Sequence, residues 1–181
     1  MIRVLGENGR SIWEKSNGID NSPVVPYTER KSVGTETTFE KDTTDIVKIN
    51  ELLVTMVEQL AYDLRKQKRL TSCITVKSRY SNFDTHTMQS RIPYTASDHV
   101  LIARAKELFK KLYERRMLIR LVGVRFSHLV QGHPQINLFE DSTEMVNLYQ
   151  AIDRLKNRFG DTAVIRAVGT SPVVEPQVVV K

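Results

Sequence analysis

The spacing of hydrophobic positions changes in a definite order from residue 32 onward. A Thr- and Val-rich segment is followed by a helical stripe of Ile49, Leu53, Met56 and Leu60, and then by two alternating segments around the turn Asn82-Phe83-Asp84. A second helical stripe and a last alternating segment complete the series. The predicted elements are the strand Ser32–Phe39, the helix Asp45–Gln67, the strands Cys73–Ser81 and Thr85–Tyr94 (ended by Pro93), the helix Asp98–Arg116 capped by Ser97, and the strand Ile119–Leu129.

The order βαββαβ predicts an α+β fold of the split βαβ, or ferredoxin-like, plan. Such a fold has a four-stranded antiparallel sheet with both helices on one face and the other face open. A short helix within Leu5–Asp20 that stops at Asn17-Gly18 is expected before it, joined by an extended linker that contains Pro23 and Pro26. An amphipathic helix at Thr143–Phe159 is expected after it, with the stripe Met145, Leu148, Ile152, Leu155 and Phe159.

Strand alternation assigns the side chains to the two faces of the predicted sheet. The helix-covered face is expected to hold Val33, Phe39, Ile74, Val76, Tyr80, Met88, Ile92, Val122, Val124 and Phe126. The open face is expected to hold Ser32, Gly34, Glu36, Thr38, Thr75, Lys77, Arg79, Thr87, Gln89, Arg91, Gly123, Arg125 and Ser127.

Composition and charge narrow the possible functions. The chain has 181 residues, of which 40% are hydrophobic and 27% charged, and it has no apolar run long enough to span a membrane, which favours a soluble, cytoplasmic protein. A single cysteine, Cys73, and four scattered histidines argue against a disulfide scaffold and a zinc site. Residues 65–130 hold 15 Lys and Arg against 4 Asp and Glu, which favours a polyanionic partner, although a basic surface kept for solubility has the same composition.

The open face combines cations and hydroxyl groups but has no aromatic side chain. Sheets that bind single-stranded RNA present rings on which bases stack, so this face is expected to hold a duplex by its phosphates. An ordinary solvated sheet face, a free-standing RNA-binding or adaptor module, and a small enzyme remain alternatives. No phosphate-binding loop, zinc-protease or serine-hydrolase motif occurs in the chain, so no catalytic residue is predicted.

The segment Gln135–Phe139 places two apolar residues between a loop and the acidic Glu140. A short extended peptide with Gln135, Leu138 and Phe139 can dock into a hydrophobic pocket of a partner. The same apolar pair can also fold back on its own sheet. The sequence leaves both possibilities open.

Several stretches together resemble the C-terminal portion of Y-family translesion DNA polymerases of the bacterial DNA polymerase IV type. These stretches are NGRSIWEKSNGIDNSPV, the segment Arg30–Gly34, ITVKSRYSNFDTHT, IRLVGVRFS at residues 119–127, the segment Gln135–Phe139, and AIDRLKNRFG with AVIRA. The run at residues 119–127 is the most specific of them.

The resemblance implies a domain organisation for a protein of DNA repair and damage bypass. Residues 1–20 would be the end of the thumb, 21–31 a linker, 32–130 the little-finger domain, 131–141 a peptide that binds the sliding clamp, 142–168 a helical segment and 169–181 a disordered tail. The Mg²⁺ ligands of the family lie in a palm domain with no counterpart here, so no cofactor is expected in this chain and it should not polymerise DNA unaided.

The resemblance also implies which residues contact each partner. It places Ser32, Gly34, Lys77, Arg79, Arg120 and Arg125 near the phosphates of duplex DNA, and Gln135, Leu138 and Phe139 on the clamp. Thr38 and Arg91 are added as candidate DNA contacts because strand alternation places them on the open face. Arg120 has the wrong alternation for the open face, so either a bulge turns it outward or it belongs at the sheet edge.

Overall fold

The computed structural model describes residues 2–25, 29–113, 117–132 and 143–167. The elements in chain order are α1 (Ile2–Ser16), β1 (Ser32–Thr43), α2 (Ile46–Lys66), β2 (Arg69–Tyr80), β3 (Thr85–Thr95), α3 (Asp98–Leu112), β4 (Ile119–Ser127), β5 (Val130–Gln131) and α4 (Thr143–Phe159). The βαββαβ order predicted for the central part of the chain is therefore confirmed.

Four strands form an antiparallel sheet in the order β1-β4-β2-β3. Strand β4 lies between β1 and β2, and β2 lies between β4 and β3, so both βαβ units are split by an intervening strand. The short β5 pairs with the beginning of β2 and was not predicted. The α+β class with an antiparallel sheet is confirmed.

A local signal accounts for the beginning of α2. Asp45 caps α2, because its carboxylate accepts hydrogen bonds from the backbone N–H groups of Val47 (3.0 Å) and Lys48 (3.2 Å). Pro93 does not end β3 as predicted. The strand continues to Thr95, which is possible because β3 is an edge strand, where proline is tolerated.

One face of the sheet is buried by α2 and α3. The core contains α2 residues such as Leu53 and Val57, α3 residues such as Leu101, and the strand residues Ile74 and Phe126. Every residue predicted for the helix-covered face is either buried or packed against this core. The apolar alternation of the strands therefore gave the correct side of the sheet.

Helix α4 packs against α2 and α3 through polar groups. The Arg65 guanidinium of α2 donates to both carboxylate oxygens of Asp153 on α4 (2.7 and 2.9 Å) and to Asp98 at the start of α3 (2.5 Å). The Tyr149 hydroxyl lies 2.8 Å from the His99 ring, and the hydroxyl of Tyr62 donates to Asn157 at 2.9 Å. The helix is thus held by a hydrogen-bonded network with little solvent access.

The apolar stripe predicted for α4 is only partly the side that packs, since Met145 and Ile152 are partly buried. Leu148, Leu155 and Phe159 are exposed, whereas Tyr149 and Lys156 are buried. The predicted helix boundaries agree with the structure, and the packed face also includes polar residues that the stripe does not contain. The reason is that the surface offered by α2 and α3 carries Arg65 and Asp98, which select polar partners.

The charged groups of the Arg65 network change one another's pKa values. Burial disfavours the Arg65 cation, but hydrogen bonds to Asp153 and the charge of Asp98 raise its pKa above the ordinary value. For Asp98, burial outweighs the nearby cations and raises the pKa of the carboxyl. Removing Arg65 would therefore leave a buried carboxylate without its main counter-ion.

We expect Arg65→Met to lower the free energy of unfolding by about 3 kcal/mol or more, as seen when one partner of a buried ion pair is removed. The loss should be larger at neutral pH than near pH 4. Without Arg65 the folded-state pKa of Asp98 rises further above its unfolded value, so stability decreases as pH rises through that range. Urea titrations at the two pH values measure the effect.

The matched control is Arg104→Met, which removes an exposed arginine that bonds Glu107 at 2.7 Å. Its effect should stay within about 0.5 kcal/mol. Equal losses for the two variants would contradict the structural role given to Arg65.

Candidate nucleic-acid interface

The face of the sheet that α2 and α3 leave open consists of four cross-strand rows. Each row takes one residue from each of β1, β4, β2 and β3, because the strands pair in register through this part of the sheet. The rows are Ser32, Ser127, Cys73 and Arg91; Gly34, Arg125, Thr75 and Gln89; Glu36, Gly123, Lys77 and Thr87; and Thr38, Leu121, Arg79 and Thr85. This set is called the open face below.

All residues predicted for the open face lie on it. Among the candidate DNA contacts, Gly34, Thr38, Arg91 and Arg125 are exposed, and Ser32 is partly exposed. The remaining two on this face, Lys77 and Arg79, are also partly exposed. The structure therefore brings seven of the eight candidates onto one surface, and only Arg120 lies outside the four rows.

Two arginines of the open face are oriented by hydroxyl groups of neighbouring strands. Arg125 donates from Nε and Nη2 to Ser32 Oγ, at 3.0 and 2.7 Å. Arg79 donates from Nε to Thr85 Oγ1 at 2.9 Å. A neutral hydroxyl partner fixes the guanidinium without compensating its charge. In the part of the chain that the structure describes, no carboxylate forms an ion pair with either arginine, so both positive charges are available for an anion.

Lys77 differs because a carboxylate compensates its charge. Its Nζ lies 2.9 Å from both carboxylate oxygens of Glu36. The two strands that carry this pair are separated by β4, whose residue in the same row is Gly123. The open face therefore has less free positive charge than the residue types alone suggest.

Gly123 makes room for this ion pair. A Cβ atom at residue 123 would lie 2.7 Å from Cγ of Glu36 and 3.2 Å from the carbonyl oxygen of Thr35. The side chain of Glu36 can extend across β4 toward Lys77 because glycine has no Cβ. The run at residues 119–127 therefore supplies the cation Arg125 and also Gly123, whose missing side chain leaves space for the ion pair.

Arg120 occupies a bulge in β4. Arg79 pairs with Leu121 and the next residue, Tyr80, pairs with Ile119, so β4 has one extra residue at this point. Of the two possibilities left by the sequence, a bulge or a position at the sheet edge, the structure agrees with the bulge, since β4 is an inner strand. The Arg120 guanidinium lies 3.8 Å from Asp42 and sits over the ring of Phe83, 4.8 Å from its centroid.

The aromatic residues of the central strands lie on the helix-covered side. Tyr80 and Phe126 are buried and Phe39 packs against the core, as predicted. Among the described residues, none of the four rows contains an aromatic side chain. Sequence reasoning treated Phe83 only as part of a turn, although it is exposed beside Arg120 at one end of the open face.

The remaining sequence predictions concern the clamp-binding residues, metal sites and membrane spans. Gln135, Leu138 and Phe139 belong to residues 133–142, which the structure does not describe. In the described part of the chain there is no group of three or more His, Cys, Asp or Glu residues placed to hold a metal ion. No helix in those ranges is long and apolar enough to cross a membrane.

Comparison with known proteins places this sheet in a family. The model of the impB/mucB/samB family C-terminal domain matches residues 30–138. DNA polymerase IV of Clostridium acetobutylicum is 34% identical over 166 residues, covering 89% of this chain and 42% of the relative. DNA polymerase IV of Methanoculleus marisnigri is 34% identical over 132 residues, covering 73% of this chain and 37% of the relative.

The fold has a counterpart among solved structures. A Y-family DNA polymerase chimera aligns with a TM-score of 0.50 at 20% identity, over 71% of this chain and 37% of that chain. The chain spans about two-fifths of the length of the curated relatives given above. The resemblance read from the sequence is confirmed at the level of the family. The chain belongs to the impB/mucB/samB family and contains the C-terminal domain of that family.

Proposed function

We propose that the open face binds duplex DNA through its phosphates, as the little-finger part of a translesion polymerase. The observation that carries the proposal is that Arg91 and Arg125 are exposed, and Arg79 is partly exposed, on a sheet face whose four rows contain no aromatic side chain. Guanidinium groups whose only protein partners are neutral hydroxyls can still form paired hydrogen bonds with phosphate oxygens. A surface without aromatic side chains gives unpaired bases nothing to stack on. The names of the relatives, DNA polymerase IV, agree with this role.

We further propose that Gln135, Leu138 and Phe139 attach the protein to the sliding clamp of replication. A glutamine followed by a leucine and an aromatic residue is suited to anchor in a hydrophobic pocket while the amide bonds to the partner's backbone. DNA holding and clamp docking then lie in separate segments of one chain. In a polymerase of DNA repair and damage bypass, this combination would keep the enzyme near the primer end.

Nucleotide transfer itself is assigned to the part of the relatives that this chain does not span. Mg²⁺ bound by acidic residues of a palm domain would supply that chemistry. The polypeptide of 181 residues is expected to bind DNA without extending a primer.

Arg125→Ala should weaken duplex binding by roughly 3- to 10-fold at low salt and reduce the slope of log Kd against log salt by about 1, because one phosphate contact is lost. The loss should be similar for duplexes of unrelated sequence. Fluorescence anisotropy at several salt concentrations measures both quantities. Arg104→Ala, which removes a cation from α3 outside the sheet, is the control and should leave both unchanged.

Binding that does not depend on salt, or a strong preference for one duplex sequence, would contradict the phosphate-holding role. Tighter binding to single-stranded RNA than to duplex DNA would instead support the RNA-binding alternative.

Glu36→Gln should strengthen duplex binding by roughly 2- to 5-fold, because Lys77 is released from a carboxylate that competes with phosphate. The salt slope should become steeper by up to about 1 in the same titration. Glu40→Gln is the matched control, since Glu40 is exposed on β1 but lies beyond the four rows. Weaker or unchanged binding of the Glu36 variant would show that this pair does not limit the open face.

Replacing Leu138 and Phe139 together by Ala should abolish clamp binding and leave duplex affinity unchanged, because the two activities use different segments. Surface plasmon resonance with immobilised clamp measures the first quantity and anisotropy the second. The control replaces Leu148 and Phe159 by Ala, since these side chains have the same chemistry and are exposed on α4. Clamp affinity that survives the first pair of changes would remove the assignment.

A further inference from the structure

Phe83 is an exposed aromatic residue at the tip of the β2–β3 hairpin. Its side chain is 64% exposed and does not belong to the hydrophobic core. Burial therefore does not explain why a large apolar ring occupies this position.

The hairpin geometry makes a phenylalanine here unfavourable. The backbone N–H of Phe83 donates to the Tyr80 carbonyl oxygen (3.0 Å), and the N–H of Tyr80 donates to the Asp84 carbonyl oxygen (3.0 Å). These bonds close a three-residue loop whose last residue adopts the left-handed conformation, and φ of Phe83 is +69°. Hairpins of this kind usually have glycine at that position, because a bulky residue is strained there.

The ring is also placed against a cation. The Arg120 guanidinium lies over it, 4.8 Å from the centroid, and Asp42 lies 3.8 Å from the same guanidinium. Because Phe83 remains 64% exposed with this contact in place, ring surface is still available to another planar group. The bulge in β4 is what brings Arg120 to this position.

The Phe83–Arg120 pair lies next to the last row of the open face, at its hairpin end. Thr85, the β3 member of the last row, accepts a hydrogen bond from Arg79 and its hydroxyl lies 3.4 Å from the Phe83 carbonyl oxygen. A DNA strand whose phosphates lie along that row would therefore end close to Phe83 and Arg120. A ring beside cations suits a ligand that is both aromatic and anionic, as an unpaired nucleotide is.

The geometry points to a subsite in which an unpaired base, next to the end of the bound duplex, stacks on Phe83 while Arg120 holds a phosphate of the same strand. The subsite rests on the proposed duplex binding by the open face. The base faces of a continuous duplex are hidden in its own stack, so the subsite would act only where the duplex ends in a single-stranded overhang.

The test compares a blunt duplex with the same duplex carrying a four-nucleotide overhang, at either the 5′ or the 3′ end, by fluorescence anisotropy. The natural chain should bind one of the overhang substrates about fivefold or more tightly than the blunt duplex, which is the order of one base stacked on an aromatic side chain. The variant Phe83→Gly should lose this advantage and retain blunt-duplex affinity. Phe83→Tyr should keep the advantage.

The glycine variant also separates binding from folding. Since glycine removes the strain at φ +69°, its melting temperature should be unchanged or higher than that of the natural chain. Tyr94→Ala is the matched control, because Tyr94 is half exposed at the opposite end of β3 and should not affect the overhang advantage.

Two results would overturn the subsite. One is that neither overhang binds more tightly than the blunt duplex. The other is that Phe83→Gly weakens blunt and overhang substrates equally, which would mean that the ring only supports Arg120. Failure of the proposed duplex binding is a different result, since the natural chain would then bind the blunt duplex weakly and without dependence on salt.

Discussion

The one-sided burial of the four-stranded sheet is the constraint on which the rest of the structure depends. Helices α2 and α3 cover the apolar side chains of β2 and β4, such as Val76 and Val124, and so direct the intervening residues to the opposite side. A shift of one residue in the pairing would exchange the faces and bury Lys77 or Arg125. The hydrophobic contacts on the covered side thus fix the register that exposes the cations on the other.

Only some of the cations on the open face are compensated by a carboxylate of the protein. Arg79 and Arg125 are oriented by hydroxyl groups, whereas Lys77 is neutralised by Glu36 across the glycine of β4. Under the proposed function, a surface of this kind would bind a polyanion through its phosphates and without sequence preference. The outer side of the helices has a different chemistry, since α4 is held there by Arg65 and Asp153 with little solvent access.

The sequence predicted the fold well where the pattern was repeated and less well where a single contact decided the outcome. Alternation in β2 and β4 assigned every predicted residue of the open face correctly, because the period of two is a property of the extended backbone. The same reasoning gave α4 its boundaries but only part of its packed face, since Arg65 and Asp98 meet it from other elements. A helical stripe says which side of a helix is apolar and does not say what the neighbouring surface offers.

Composition, periodicity and turn residues were sufficient to specify the βαββαβ order, the sides of the strands and a cationic face, because each depends on residues close together in the chain. The pairing of Lys77 with Glu36 required the strand order β1-β4-β2, which brings together residues 41 positions apart. The outward turn of Arg120 and its contact with Phe83 required the register between β2 and β4, since a bulge exists only relative to a partner strand. Contacts between distant segments depend on how the elements are assembled, and local sequence carries no record of that assembly.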